Sequence, residues 1–167
     1  MNIIISSNSI YLPDVNRTND LAKILFSSIF SKSEPSTLHI NLKGDIGTGK
    51  TTFARSFLQN MGIKDRIKSP SYSLLESYKA LNLNIYHFDF YRIDDPIEFI
   101  NLGFKDILKE KALFFIEWPE KVEKYLPIPD LELSFQCYKT GRIVEILAKT
   151  NQGTRWSQTI LGQKQNL

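Results

Sequence analysis

Gly44, four residues, then Gly49-Lys50-Thr51-Thr52 is a spacing that lets a polypeptide cradle a polyphosphate. Glycines allow the backbone to curl with several N–H groups pointing inward, the Lys50 ammonium reaches the outer phosphates, and the Thr51 hydroxyl is a hard oxygen ligand for Mg2+. Asp45, Ile46, Gly47, Thr48, Gly49, Lys50, Thr51 and Thr52 are therefore the candidate nucleotide-binding residues. The implied chemistry is the binding of a nucleoside triphosphate. Two carboxylates join the loop as candidates: Asp89, within His87-Phe88-Asp89-Phe90-Tyr91-Arg92, and Glu117, directly after the apolar run Leu113 to Ile116. An acidic residue at the end of a strand beside a phosphate loop holds Mg2+, often through water, or orients the attacking water. Glu117 matches that position, the alternative being a solvated glutamate opening a turn before Pro119. Asp89 leaves two readings open. Alternation with Tyr86, Phe88 and Phe90 puts His87, Asp89 and Tyr91 on one shared face, which either lines a site or meets solvent.

These side chains need a strand before the loop and a helix after it. Leu38, Ile40 and Leu42 alternate with Thr37, His39, Asn41 and Lys43, as in a strand, and Phe53, Phe57, Leu58 and Met61 recur at helical spacing as far as Gly62, a natural helix terminator. Elsewhere the chain reads as alternating strands and helices with a β-rich end. Met1 to Ser7 suits a short edge strand or an ordered arm. Thr18 or Asn19 is placed to cap a helix with Leu21, Ile24, Leu25 and Ile29 on its apolar face, and Ser31 to Ser36 is a turn. Arg66 to Tyr78 is a loop entering a strand, Asn84 to Tyr91 is a strand, and Pro96 opens a helical stretch through Leu108 that is interrupted at Gly103. Ala112 to Ile116 is continuously apolar, as buried parallel strands are. Leu131 to Tyr138 and Arg142 to Ala148 flank Lys139-Thr140-Gly141 as a β-hairpin. The sum is an α/β fold: a three-layer domain of the phosphate-loop NTPase kind, with parallel core strands extended by antiparallel strands and the C-terminal hairpin. The nucleotide belongs at the carboxyl ends of the core strands.

Composition sets bounds. At 167 residues the chain is expected to form a single domain, with the tail 151–167, including Trp156 in a polar setting, loosely ordered. Twenty-one basic residues against 18 acidic ones leave a net charge of +3, too mild to argue for nucleic acid by itself. The single cysteine, Cys137, excludes an internal disulfide framework and sits in an alternating apolar run, where a buried, inert thiol is expected. No stretch is long and apolar enough for a membrane span, and no cleavable signal pattern opens the chain, so a soluble cytoplasmic protein is expected.

Four motifs in order carry a further resemblance: Gly44 to Thr52, Ser69-Pro70-Ser71-Tyr72-Ser73-Leu74, His87 to Arg92, and Glu117-Trp118-Pro119-Glu120. Together they resemble the TsaE family, also called YjeE, bacterial phosphate-loop ATPases needed to make threonylcarbamoyladenosine in tRNA. The resemblance spans about residues 18 to 148. Ile46 and Thr48 stand where the family usually has leucine and alanine, and Ser71 and Ser73 where it has threonines. Those exchanges keep either volume or hydroxyl chemistry.

The resemblance implies ATP and Mg2+ as ligands, with Lys50 and the loop amides on the phosphates, Thr51 on the metal, and Asp89 and Glu117 around metal and water. It makes Ser69 to Ser73 a switch loop in which the Ser71 hydroxyl senses the γ-phosphate or the ion, the alternative being an ordinary Ser-Pro turn. Arg92 reaches a phosphate or an acidic partner surface, or is a solvated strand end. Trp118 covers the nucleotide, faces a partner, or is core. No arginine stands out as the one meeting transition-state charge, and slow intrinsic hydrolysis stimulated by a partner is the corresponding expectation. The implied partners are the TsaD- and TsaB-family proteins that perform threonylcarbamoyl transfer, with tRNA engaged indirectly. The competing readings are a small-molecule kinase, which needs an acceptor pocket with a base, and a nucleotide-binding module with negligible turnover.

Overall fold

The computed structural model describes residues 6–31, 35, 37–164 and 167. Its elements are β1 (Ser9–Leu12), α1 (Val15–Phe30), β2 (Leu38–Lys43), α2 (Lys50–Asn60), β3 (Leu75–Ala80), β4 (Leu83–Asp89), α3 (Ile97–Asn101), α4 (Phe104–Ile107), β5 (Ala112–Glu117), β6 (Leu131–Tyr138), β7 (Gly141–Ala148) and α5 (Asn151–Gly162), with two 3-10 turns between β5 and β6. The strands form one seven-stranded sheet in the order β1-β7-β6-β2-β5-β4-β3. β2 pairs in parallel with both β5 and β6, and β4 pairs in parallel with β5. Antiparallel strands extend this core on both sides, β3 beside β4 and the β6–β7 hairpin closed by β1.

Period-two alternation sends the strand side chains into two cores, one on each face. Leu38, Ile40 and Leu42 of β2, with Leu113 and Phe115 of β5 and Ile85 of β4, pack under α1, α2 and α5. Ala112, Phe114 and Ile116 of β5 and Phe88 of β4 join Phe99 and Phe104 of the short helices on the opposite face. The result is three layers, as expected. Because β2 is central, its alternate residues His39 and Asn41 are buried too, and His39 stacks on Phe114 at 4.5 Å between ring centres. Burial pushes the His39 imidazole below its ordinary pKa, although Asp130 opposes this.

Several local expectations are corrected. α1 is capped by Asp14, which is extended and accepts from the Arg17 amide at 3.0 Å, so Thr18 and Asn19 fall inside the helix. Of the expected N-terminal arm, Met1 to Ile5 lie outside the described residues, and the strand there, β1, starts at Ser9. Much of the expected turn at 31–36 likewise lies outside them. The tail is not loosely ordered where it is described. Thr150 caps α5 by accepting from the Gly153 amide, and Trp156 and Ile160 enter the larger core. Cys137 is exposed rather than buried: it shares a face with Leu131, Leu133 and Phe135, but burial along that face ends at Phe135, before the hairpin tip. Among the described residues no helix is long and apolar enough to cross a membrane.

Candidate functional site

The loop between β2 and α2 turns through glycines in the left-handed region, Gly44 (φ 127°), Gly47 (φ 79°) and Gly49 (φ 110°). Gly44 also has no room for a β-carbon, which would overlap the Phe135 backbone carbonyl of β6, and at Gly49 the Arg142 guanidinium of β7 occupies that space. Thr48 is buried and donates its hydroxyl to the Asp45 carbonyl at 2.8 Å, so it shapes the loop from inside. Gly49 caps α2 without a side-chain bond, leaving the first amides of the helix at the mouth of the loop for an anion.

A cleft of about 490 Å³ opens at the carboxyl ends of β2, β4 and β5. Of the loop candidates, Ile46, Gly47, Gly49, Lys50, Thr51 and Thr52 line it; Asp45 and Thr48 do not. Asp89, Glu117, Ser71, Arg92 and Trp118 line the same cleft. The structure thus brings together residues that the sequence holds far apart.

Asp89 and Glu117 are neighbours in the parallel β4–β5 ladder, and both are buried. Their strand parity is that of Ile85, Leu113 and Phe115, which puts them on the face covered by α2. The shared face of His87 and Asp89 is therefore covered and not a solvated sheet surface, and Asp89 lines the cleft from it. The Thr51 hydroxyl donates to Oε1 of Glu117 at 2.8 Å, and His87 Nε2 lies 2.9 Å from the same oxygen. With a carboxylate as its neighbour, Nε2 carries the proton and donates it. His87 is fully buried, and its Nδ1 has no partner. Asp89 Oδ1 accepts from the Tyr91 amide at 3.0 Å. Burial pushes the Asp89 carboxyl above its ordinary pKa; the Tyr91 amide opposes the shift, and the adjacent Glu117 charge adds to it.

Lys50 is also buried, and burial lowers its ammonium pKa against the pull of Glu117 and Asp89. Its Nζ donates to the carbonyls of Gly44 at 2.5 Å and Asp45 at 2.8 Å, and lies 4.6 Å from the centre of the Trp118 ring. Trp118 follows Glu117 in a left-handed conformation (φ 55°). That turn costs a non-glycine residue roughly 1 kcal/mol, and the half-buried indole sits over the lysine and 5.0 Å from the Tyr91 ring.

The Ser-Pro segment forms the outer wall. Ser71 is half-buried in the cleft, while Tyr72 is 81% exposed and carries the Arg92 guanidinium on its ring at 4.1 Å. The Leu74 amide closes the turn onto the Pro70 carbonyl at 2.7 Å. Arg55, by contrast, turns away from the loop, and its Nε donates to the Ile67 carbonyl at 3.4 Å.

Two lining residues escaped sequence reasoning. Arg142 is the second residue of β7, and nothing in its local pattern reveals that the hairpin lies against Gly49. Val15, at the start of α1, lines the cleft without any motif to mark it. His87 did carry a signal, since period two ties it to Asp89.

The family model described as "Threonylcarbamoyl adenosine biosynthesis protein TsaE" matches residues 12–144. A relative from Haemophilus influenzae, named tRNA threonylcarbamoyladenosine biosynthesis protein TsaE, is 35% identical over 143 residues, covering 86% of this chain and 90% of the relative. A Rickettsia conorii protein of the same name is 34% identical over 145 residues, covering 86% and 79%. A crystal structure of YdiB from Bacillus subtilis superposes with a TM-score of 0.72 at 23% identity, covering 91% of this chain and 92% of that one, which supports the fold. Motif order, family match and the extent of these similarities lead to one assignment: the chain belongs to the TsaE family.

Proposed function

We propose that this chain is a Mg2+-dependent ATPase acting in threonylcarbamoyladenosine formation on tRNA, as the energy-using accessory of a TsaD- and TsaB-family transferase pair in the cytoplasm. Membership of the TsaE family supports the pathway. The observation that carries the ATPase reading is the Thr51–Glu117–His87 chain at the base of a glycine loop.

In this reading the loop amides and Lys50 hold the phosphates. Lys50 exchanges its two loop carbonyls for phosphate oxygens, which are charged and therefore stronger acceptors. The donor set suits Mg2+, a hard cation that takes one or two carboxylates with water and substrate phosphates and needs no all-protein cage. Thr51, with Glu117 and Asp89, would hold it, and when bound it offsets charge on the transferring phosphoryl group. Thr51 and His87 fix the Glu117 carboxylate in one orientation, so it is placed to align a water molecule. The adjacent Asp89 shares the load of metal and water. Ser71 on the Ser-Pro wall, and Arg92 stacked on Tyr72 of that wall, respond to the γ-phosphate or to a partner, and Trp118 covers Lys50.

Turnover is slow alone and faster with partners. Phosphate release from ATP, measured with and without the transferase pair and with Mg2+ removed by chelation, tests this. Release that needs Mg2+ and rises with the partners supports the reading. Phosphate passing to a small-molecule acceptor would instead make the chain a kinase.

A further inference from the structure

We infer that Arg142 is a second phosphate-binding cation of the nucleotide site, supplied from β7 on the flank of the loop opposite the acidic pair. The inference rests on the ATP-binding reading above.

Sheet order sets the geometry. β2 leads into the loop, with β5 and β4 on one side of it carrying Glu117 and Asp89, and with β6 and β7 on the other. The hairpin approaches the loop at two points. The Phe135 carbonyl fills the space where Gly44 would have a side chain, and the Arg142 guanidinium fills that space at Gly49. Gly49 is kept a glycine by its left-handed backbone (φ 110°), and Arg142 reaches into the space beside it.

One donor of that guanidinium is unsatisfied. Its Nε is buried with no hydrogen-bond partner, and among the described residues no carboxylate pairs with it. A buried donor left unpaired is costly, and more so when it is charged. The guanidinium also lines the cleft beside Lys50, Thr51 and Thr52, where the helix amides await an anion. A planar fork of N–H donors with fixed charge matches two phosphate oxygens at once. Lys50 and Arg142 would then hold the phosphates from within a single chain, with the metal-side carboxylates on the other flank.

Titration calorimetry of ATP and of inorganic tripolyphosphate, both with Mg2+, into the wild type, Arg142→Ala and Arg142→Lys separates the alternatives. Arg142→Ala is expected to weaken both ligands by on the order of tenfold to a hundredfold, with Arg142→Lys in between, and to flatten the salt dependence of affinity. A thermal melt of the ligand-free variant checks folding, and Arg142→Gln replaces the alanine variant if that one does not fold. Wild-type affinity for tripolyphosphate in the variant would overturn the inference. So would loss confined to ATP, which would move Arg142 onto base or sugar. A wild type that binds neither ligand would instead remove the ATP reading on which the inference stands.

Discussion

The Thr51 hydroxyl reaches Oε1 of Glu117 at 2.8 Å across a separation of 66 residues, joining the first turn of α2 to the end of β5. His87 meets the same oxygen from β4. A carboxylate this deeply buried is costly unless its oxygens are bonded, and the pair of donors offsets that cost while fixing its direction.

Removing the hydroxyl should therefore act through the metal. Thr51→Val keeps the shape of the side chain but takes a donor from Glu117 and a ligand from Mg2+. Nucleotide affinity in the presence of Mg2+ should drop about tenfold, as loss of one such bond predicts, and affinity in chelator should change little. Thr51→Ser should restore Mg2+-linked affinity. Fluorescent-nucleotide titrations at several Mg2+ concentrations would show whether the loss follows the metal.

His87→Ala leaves Glu117 with one donor fewer and opens a buried void. Stability should fall by about 2–4 kcal/mol, from the lost bond and the cavity together. If His87 orients Glu117, His87→Gln should recover turnover more than it recovers stability. Urea unfolding set beside phosphate release separates the two quantities; recovery of both in equal measure would mean that the histidine is only structural.

Asp89 predicts a pH dependence of definite sign. Its folded-state pKa is raised by burial, so the folded protein holds the proton more tightly than the unfolded chain, and the stability associated with it is lost as pH rises through the raised value. Asp89→Asn removes that loss. The ligand-free variant should match the wild type at acid pH and melt higher at neutral pH, each 1 kcal/mol reading as about 2–4 °C in a domain of this size. Mg2+-dependent turnover should fall in the same variant. Melting curves from pH 3 to 8 give the comparison.

Trp118 should report on Lys50. The ammonium lies over the indole in the ligand-free site, and phosphates draw it away. ATP should thus change Trp118 emission in a Trp156→Phe background, since Trp156 points from α5 into the core. Lys50→Ala should remove most of that response, and an unchanged response would show that the lysine does not move.

Much of this site was legible because its signals are local. The glycine spacing from Gly44 to Gly49, the apolar run ending at Glu117 and the alternation around Asp89 are written in short windows. Where Asp89 and Glu117 meet is a matter of strand register, which no short window contains; it showed which face Asp89 takes. Arg142 was hidden for the same reason, because only the sheet order places β7 beside the loop. Cys137 was misread because alternation names a face without saying how far its cover extends. The tail misled differently: Gly153, Trp156, Ser157 and Ile160 form one buried helical stripe, but a stripe with so few apolar members is weak beside its polar neighbours.

The most direct test of the central claim couples hydrolysis to modification. Phosphate release and threonylcarbamoyladenosine in tRNA would be measured together, in a reaction reconstituted with the TsaD- and TsaB-family pair, for the wild type and Glu117→Ala. Hydrolysis should fall by on the order of a hundredfold or more in the variant, nucleotide should still bind, and modification should fall with hydrolysis. Sustained modification by a variant that releases no phosphate would contradict the account.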